Sequence, residues 1–198
     1  MQAYEKSLWN DGIQYVAGVD EVGRGCLLGD VVAAAVIWPA HTVVNDILDS
    51  KQLSEKKRLE WYEYIHKHAV AVSVASVDVA TIEKINIKQA ARLAMKRAVE
   101  QLKIKPQYLL IDAEQIDCEI PQLSIVKGDA ASQSIAAASI VAKVTRDRMC
   151  IHWDMQYPEY GIAKHKGYAT KMHREAIRMY GPSPLHRSSF LRKIVGAD

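Results

Sequence analysis

The sequence predicts an α/β fold, with one mixed sheet of about five strands, helices on its faces and a helical C-terminal part. Short runs of apolar and β-branched residues, bounded by Gly, Pro, Asp or Asn, are typical of strands. Longer segments with helical periodicity lie between and after these runs. The strand-like runs are "YVAGVDEV", "VVAAAVIW", "HAVAVSVASV", "QYLLIDA" and "QLSIVKGD".

The first three strands follow one another through short or modest connections, which favours an antiparallel meander. The segment "SEKKRLEWYEYIHKHA" predicts a helix that begins after Ser54 as the N-cap. The segment "NIKQAARLAMKRAVEQL", between the third and fourth strands, is an amphipathic helix. Its apolar stripe consists of Ala91, Ala94 or Met95, Ala98 and Leu102. A strand, a helix and another strand form a crossover, so we expect parallel pairing nearby.

Two further helices follow the fifth strand. The segment "SQSIAAASIVAKVTRDRMCIHWDMQ" is long, and the small residues of its first half allow close approach to a sheet. The segment "TKMHREAIRMYG" ends at Gly181 and precedes "PSP". Because no repeat or linker interrupts the chain, we expect one domain over residues 1–198, with 158–198 forming a basic helical segment packed on it.

Composition is that of a soluble globular protein: 198 residues, 49% hydrophobic and 25% charged. Three cysteines without CxxC spacing argue against a disulfide framework and a structural zinc site. No apolar run approaches the ~20 residues of a membrane span, and the N-terminus lacks the hydrophobic region of a signal peptide. We therefore expect a protein of the reducing cytoplasm with no membrane partner.

Basic residues are concentrated near the C-terminus, although the net charge of the chain is only +3. This stretch indicates either contact with a polyanion or a solvated helical face, and composition does not choose between them. Only Glu175 and Asp198 oppose the basic side chains between residues 160 and 198. These are Lys164, Lys166, Lys171, Arg174, Arg178, Arg187, Arg192 and Lys193.

Acidic residues stand at the ends of three predicted strands. Asp20 and Glu21 end the first strand, Asp112 ends the fourth, and Asp129 closes the fifth. Carboxylates at the edge of a core are costly unless a cation compensates them, and oxygen ligands alone suit Mg²⁺ or Mn²⁺ rather than zinc. The alternative for each residue is an ordinary turn or helix cap. Because neighbouring strand residues point to opposite faces, Asp20 and Glu21 share a site only if the strand ends or bulges there.

The glycines in "GVDEVGRG" invite two nucleotide-binding interpretations that fail. The GxxxxG spacing is that of a phosphate loop, but Arg24-Gly25 stands where Lys-Ser/Thr is required. The stretch also does not continue as GxGxxG into a helix, since "CLLGDVVAAAV" leads into another strand. What remains is a turn formed by Gly23, Arg24 and Gly25, with glycines that permit close contact and an arginine suited to phosphate.

Two other segments carry candidate contacts to nucleic acid. In "KHKGY", Lys164 and Lys166 are suited to phosphate and Tyr168 to stacking on a sugar or base. The alternative is a solvated loop in which Tyr168 is a hydrophobic plug. Lys51, in "DSKQLSEKKR", precedes a helix and is a further candidate phosphate contact.

Taken together, these motifs resemble those of bacterial ribonuclease HII, in the type 2 ribonuclease H family, over almost the whole chain. Related type III enzymes have a serine-and-lysine version of the first motif and an additional N-terminal domain. The matching stretches are "VAGVDEVGRG", "DSKQLSEKKR", "NIKQAARLAMKRAV", "YLLIDA", "VKGDAASQSIAAASIVAKVTRDR", "YPEYGIAKHKGYATKMHREAI" and "GPSPLHRSSF".

The resemblance implies a ribonuclease H-like fold and endonucleolytic cleavage of RNA in RNA–DNA duplexes, including single ribonucleotides embedded in DNA. The four catalytic, metal-binding positions of the family fall on Asp20, Glu21, Asp112 and Asp129. Its substrate-reading Gly-Arg-Gly falls on residues 23–25, and its junction-sensing tyrosine on Tyr168. We expect a monomer that uses two Mg²⁺ or Mn²⁺ ions, cuts 5′ to the ribonucleotide and leaves 3′-hydroxyl and 5′-phosphate ends.

The chain departs from the family pattern at Cys26, where proline is usual, at Ala113, where glycine often follows the aspartate, and at Ser188, where arginine is commoner. These departures put local loop geometry in question, but none of them removes a catalytic carboxylate. Asp147 is a rival for the fourth carboxylate. We prefer Asp129, because the family motif falls there and Asp147 can pair with Arg146 or Arg148 on its own helix.

Two other functions remain as alternatives. One is a different two-metal nuclease of the same superfamily, such as a DNA-only junction resolvase. The other is a hybrid-binding module in which the acidic cluster is structural. Cleavage at an embedded ribonucleotide separates the first alternative from a ribonuclease, and metal-dependent cleavage excludes the second.

Overall fold

The computed structural model describes residues 2–47, 50, 52–192 and 194. Five of its strands form one sheet in the order β3-β2-β1-β4-β5, where the strands are β1 (Val16–Val22), β2 (Val31–Ile37), β3 (Ala71–Val77), β4 (Tyr108–Asp112) and β5 (Gln122–Ile125). The first three strands pair antiparallel, whereas β4 pairs parallel to both β1 and β5. The predicted meander, crossover and mixed sheet are therefore confirmed.

Helices cover both faces of the sheet and form the C-terminal part. In the described ranges they are α1 (Ala3–Asn10), α2 (Glu55–His68), α3 (Val79–Ile85), α4 (Ile87–Glu100), α5 (Gly128–Ala131), α6 (Gln133–Gln156), α7 (Ile162–His165), α8 (Lys171–Tyr180) and α9 (Ser188–Leu191). A 3₁₀ turn at Pro158–Tyr160 lies between α6 and α7. None of these helices is long and apolar enough to cross a membrane.

The four longer helices that the sequence predicts are present, and local hydrogen bonds explain where they begin. The Ser54 side chain accepts from the backbone N–H of Lys57, 3.2 Å away, at the start of α2. Ser132 caps α6 in the same way, and Thr170 caps α8. Side-chain oxygens at these positions satisfy N–H groups that have no partner within the first helical turn.

The sequence did not predict α1, α3 or the shorter helices α5, α7 and α9. In α1, only Glu5 and Trp9 are buried, so the buried face carries one apolar residue rather than the apolar stripe that predicts a helix. A carboxylate oxygen of Glu5 accepts from the Ser134 backbone N–H at 3.0 Å and also from the Ser132 hydroxyl, near the beginning of α6. A contact between residues this far apart in the chain has no local sequence pattern.

The pleat of the central strands divides the core between two faces. In β1, Ala17 and Val19 pack against α4, and the predicted stripe of α4 is buried there. Gly18 faces α6: a Cβ built on it would lie 2.0 Å from the Ser134 carbonyl carbon, so only glycine permits this approach. Because side chains alternate along a strand, Asp20 follows Gly18 onto the α6 face.

The C-terminal part packs around the loop that connects β1 and β2. Leu27 and Leu28 of this loop form a buried cluster with Trp153, Ile177 and other residues that follow β5. An isolated β-bridge joins Leu28 to His186. The segment that carries Tyr168 is thereby held beside the ends of β1 and β4. Lys51 and Lys193, both included in the sequence predictions, lie outside the described residues.

Candidate active site

Three of the four predicted carboxylates line one cavity of about 160 Å³. Asp20 and Glu21 come from β1, and Asp112 comes from the end of β4. β1 and β4 are parallel neighbours, so their carboxyl ends meet at the same edge of the sheet. Ser139 and Lys143 of α6 complete the wall on one side, and Tyr168 lies in the same lining. The sheet topology therefore brings acidic, basic and aromatic groups to one place.

The expectation that β1 ends or bulges at Asp20–Glu21 is wrong. The pairing of β1 with β2 continues in regular register through Glu21↔Ala33 to Val22↔Val32. The pairing with β4, however, stops at Val19↔Ile111. Beyond that pair β1 has an open edge, so side chains from its two faces can reach one cavity without a distortion of the strand.

Burial makes this group of carboxylates costly in the absence of a cation. The Asp20 side chain is buried, which raises its pKa well above the usual range, and the negative charges of Glu21 and Asp112 raise it further. A hydrogen bond from Ser139 acts in the opposite direction. Burial also raises the pKa of Glu21, although the Arg24 guanidinium opposes this shift. A positive charge placed among these carboxylates would relieve both effects.

The donor atoms of the cavity fit a hard divalent cation. The Oε2 atom of Glu21 is buried and has no hydrogen-bond partner in the described part of the chain, so one carboxylate oxygen is available. Asp20, Glu21 and Asp112 offer only oxygen ligands, which Mg²⁺ and Mn²⁺ prefer. Among the residues described, no group of three or more His, Cys, Asp or Glu side chains is already arranged around one ion position. Binding would therefore require side-chain adjustment of these carboxylates.

Asp129 lies close to this group but is not part of the cavity lining that the described residues form. It is buried in α5, beside Gly128, whose backbone N–H donates to Asp112 Oδ1 at 2.6 Å. This hydrogen bond from α5 therefore holds Asp129 near Asp112. The role of Asp129 as a metal ligand stays a prediction.

The predicted pairing of Asp147 with Arg146 or Arg148 is wrong. Asp147 Oδ1 instead lies 2.6 Å from Lys143 Nζ, one turn earlier on α6. Arg146 is fully buried and points to main-chain carbonyls, whereas Arg148 contacts Glu63 and the ring of Tyr62. Lys143 is in the cavity lining, so the pair with Asp147 fixes a cation next to the carboxylates.

Two buried arginines hold the turn formed by residues 23–25. Arg187 donates to the carbonyl oxygens of Arg24, Cys26 and Gly29, at distances between 2.6 and 3.1 Å. Arg146 lies under Gly23, where a Cβ would fall 2.4 Å from its Nε and where φ is +98°. Gly25 is exposed, and a Cβ built there meets no described residue within 4 Å. The outer side of the turn is therefore open to a ligand while its inner side is fixed.

Tyr168 is held by its backbone, and its side chain is partly exposed. Its side chain is 44% exposed. Its N–H donates to the His165 carbonyl at 3.0 Å, and its own carbonyl lies 2.9 Å from His173 Nδ1. Of the predicted lysines in this segment, Lys164 is exposed and Lys166 is half-buried, with the Lys166 carbonyl bound by Arg146.

Sequence reasoning missed several residues that shape this site. Ser139 and Lys143 are four residues apart on α6 and face the cavity, a spacing that the sequence does contain. Arg146 and Arg187 gave no such signal, because their partners are main-chain carbonyl groups, most of them more than a hundred residues earlier in the chain. Glu114 was also missed, although it follows Asp112 by two positions and binds both Arg24 and Arg92.

Comparisons with known proteins show which family and which fold this chain resembles. A model of the family described as Ribonuclease HII matches residues 17–193. The ribonuclease HII of Alkaliphilus metalliredigens (strain QYMF) is 57% identical over 198 residues, which cover 96% of this chain and 97% of that protein. The ribonuclease HII of Bacillus subtilis (strain 168) is 50% identical over 190 residues, covering 96% and 74%. The crystal structure of ribonuclease H2 from Pyrococcus horikoshii OT3 has a TM-score of 0.77 at 26% identity, covering 91% and 97%.

Proposed function

The chain belongs to the ribonuclease HII family and is a ribonuclease H endonuclease, and on that premise we propose its substrates and its mode of cleavage. It cuts the RNA strand of RNA–DNA hybrids and single ribonucleotides embedded in duplex DNA, on the 5′ side of the ribonucleotide. The products carry 3′-hydroxyl and 5′-phosphate ends. The observation that supports this proposal best is that Asp20, Glu21 and Asp112 share one cavity with Tyr168.

The metal-binding residues in this proposal are Asp20, Glu21 and Asp112, with Asp129 as the fourth. When bound, two Mg²⁺ or Mn²⁺ ions supply the Lewis acidity that phosphodiester hydrolysis requires. Lys143 adds a positive charge at the cavity wall, where it can contact a phosphate oxygen. Ser139 holds the Asp20 carboxylate through a hydrogen bond. The Ser139 hydrogen bond favours the charged form of Asp20, and a bound cation would offset the burial that raises the pKa of this carboxylate.

Substrate recognition rests on the turn at residues 23–25 and on Tyr168. The open side of Gly25 lets a ribose approach the backbone, whose groups can hydrogen-bond a 2′-hydroxyl. Tyr168 packs on the following sugar and favours deoxyribose there. Lys51, Lys164, Lys166 and the basic segment 158–198 supply salt-dependent contacts to the phosphates. The chain acts as a monomer and as one catalytic domain over residues 1–198.

The test is cleavage mapping on a duplex that contains a single ribonucleotide, with Mg²⁺, with Mn²⁺ and with chelator. We expect one cut 5′ to the ribonucleotide with either metal and none with chelator, while an all-DNA duplex stays intact. Cutting of a four-way DNA junction but not of the ribonucleotide would favour a resolvase. Binding without cleavage under every condition would favour a non-catalytic hybrid-binding module.

A further inference from the structure

A chain of ion pairs runs from the candidate active site to the surface of α4. Arg24 Nη1 lies 3.2 Å from Glu21 Oε1 and 3.1 Å from Glu114 Oε1. The second oxygen of Glu114 lies 2.9 Å from Arg92 Nε on α4. The carboxylate of Glu114 therefore joins an arginine of the glycine turn to an arginine of a helix that packs on the sheet.

Glu114 is a buried charge, with 8% of its side chain exposed, and it does not line the cavity. Burial acts to raise its pKa, but the hydrogen bond and charge of Arg92 and the charge of Arg24 outweigh burial and hold the pKa below its usual value. Two guanidinium groups, at 3.1 Å and 2.9 Å, thus compensate the carboxylate of Glu114. Its charge cannot serve a metal as the side chains stand, because Arg24 and Arg92 occupy both of its oxygens.

One nitrogen of Arg24 is shared between two carboxylates with different tasks. Glu21 is a proposed metal ligand. Its Oε1 is bound by Arg24, and its Oε2 has no hydrogen-bond partner among the described residues. A divalent cation and Arg24 must compete for the negative charge of Glu21. A second carboxylate that draws Arg24 away from Glu21 weakens that competition.

We propose that Glu114 is a positioning residue that acts through Arg24: it draws the guanidinium away from Glu21 so that Glu21 can bind a divalent ion, and it keeps Arg24 beside the glycine turn afterwards. This inference rests on the proposed function, in which Glu21 binds metal and Arg24 meets a phosphate. Arg92 neutralises the second oxygen of Glu114 and fixes the orientation of the carboxylate.

The direct test is Mn²⁺ binding without nucleic acid, measured from the electron paramagnetic resonance signal of the free ion. In Glu114→Gln, Arg24 is left with Glu21 as its charged partner in this chain of pairs. We expect the Mn²⁺ concentration at half-saturation to rise about fivefold, the effect of strengthening one half-buried ion pair. When Arg24→Gln is already present, adding Glu114→Gln should change the Mn²⁺ concentration at half-saturation by less than about twofold, because Glu114 is proposed to act through Arg24.

Two matched controls separate this role from bulk charge and from stability. Asp117→Asn removes a nearby negative charge whose side chain is fully exposed and pairs with Lys96, so its midpoint should stay near that of the wild type. Arg92→Gln breaks the tie between Glu114 and α4 but leaves Glu114 with Arg24, so its midpoint should not rise. Thermal unfolding of each variant in chelator establishes that it is folded.

Three results would overturn the proposal: an unchanged midpoint in Glu114→Gln, an equal rise in the Arg24→Gln background, or an equal rise in Arg92→Gln. The first would mean that Arg24 does not compete with metal. An equal rise in the Arg24→Gln background would mean that Glu114 acts only through its negative charge and not through Arg24. An equal rise in Arg92→Gln would mean that the effect comes from loss of the contact with α4, which is a structural role. If wild-type protein binds no Mn²⁺, the proposed metal site itself fails, and that outcome is distinct because it precedes any comparison of variants.

A second measurement, at saturating metal, tests whether Glu114 keeps Arg24 beside the glycine turn. Glu114→Gln should raise KM for an RNA–DNA hybrid about fivefold while kcat stays within about twofold of wild type, since Arg24 loses its fixed partner but the carboxylates remain. A fall in kcat with unchanged KM would contradict this part of the role.

Discussion

Among single residues, Asp20 lies in an environment that disfavours its charged form. It is buried, its pKa is raised by burial and then by Glu21 and Asp112, and its Oδ1 accepts from the Glu21 N–H at 2.7 Å. In the metal-free protein the folded state therefore holds a proton on Asp20 more tightly than the unfolded state does. This carboxylate destabilises the metal-free fold increasingly as pH rises through its raised pKa.

The first prediction concerns Asp20→Asn. Cleavage should fall by roughly a thousandfold or more, since a proposed metal ligand is lost. In chelator at neutral pH, however, Tm should rise by about 2–4 °C, because removal of a buried, repelled charge stabilises a chain of this size by roughly 1 kcal/mol. Asp117→Asn, which removes a fully exposed carboxylate, is the control and should change neither value. Cleavage retained by Asp20→Asn at ordinary metal concentration would refute the assignment.

The second prediction concerns Tyr168, whose ring is partly exposed in the cavity lining. Tyr168→Ala should reduce cleavage at a single embedded ribonucleotide by about tenfold, the order expected from loss of one stacking contact. Binding to an all-DNA duplex should change much less. Tyr4→Ala removes another partly exposed tyrosine, on α1, and should have no effect. Equal losses in cleavage and in plain duplex binding would make Tyr168 a general contact.

Among the elements, the packing of α6 against β1 determines where the cavity lies. Gly18 permits the close approach, and Ser139 and Lys143 reach the cavity from the same helix. The small residues in the first half of α6 predicted this packing from sequence. The ion pair on α6 was predictable from helical periodicity, because Lys143 stands four residues before Asp147 and shares its face of the helix. Arg146 and Arg148 are immediate neighbours of Asp147 and do not face it.

The third prediction follows from Gly18. Gly18→Ala places a methyl group about 2 Å from the Ser134 backbone, so α6 must move away from β1. We expect the free energy of unfolding to fall by about 3 kcal/mol, with a loss of activity as Ser139 and Lys143 shift. Gly12→Ala is a useful comparison, since nothing lies within 4 Å of its Cβ and only its positive φ of +86° resists substitution. It should cost about 1 kcal/mol and leave cleavage intact.

At the level of the whole molecule, the sequence predicted the sheet, the longer helices and the three carboxylates that meet in the cavity, because each of these follows from local periodicity or strand ends. It did not predict how the C-terminal part is joined to the β1–β2 loop. This packing of the C-terminal part on the loop depends on Arg146 and Arg187, which bind main-chain carbonyls from distant segments. Every residue has the same main-chain carbonyl group, so the local sequence does not indicate which carbonyl each arginine binds.

The C-terminal part that packs on the β1–β2 loop contains three buried histidines. His165 stacks on His173 with ring centroids 4.0 Å apart, and His173 Nε2 lies 3.1 Å from His186 Nε2. His186 Nδ1 accepts from the Ser183 N–H at 2.9 Å, so its Nε2 carries the proton and donates to His173. His173 Nδ1 then donates to the Tyr168 carbonyl. This series of hydrogen bonds requires neutral imidazoles throughout.

The last prediction is therefore a loss of stability in mild acid. Burial lowers the pKa of His173 and of His186 to about 4, whereas unfolded histidine titrates near ~6.5. Between these values the two histidines bind more protons in the unfolded state, so their contribution to the free energy of unfolding should fall as pH decreases from about 6.5 towards 4. The raised pKa of Asp20 acts in the opposite direction, so the histidine contribution is read from the difference between wild type and variant. Urea unfolding at successive pH values measures the slope. In His186→Gln, whose amide can still accept from Ser183 and donate to His173, the slope should be shallower. An identical slope in the variant would show that the histidines are not its source.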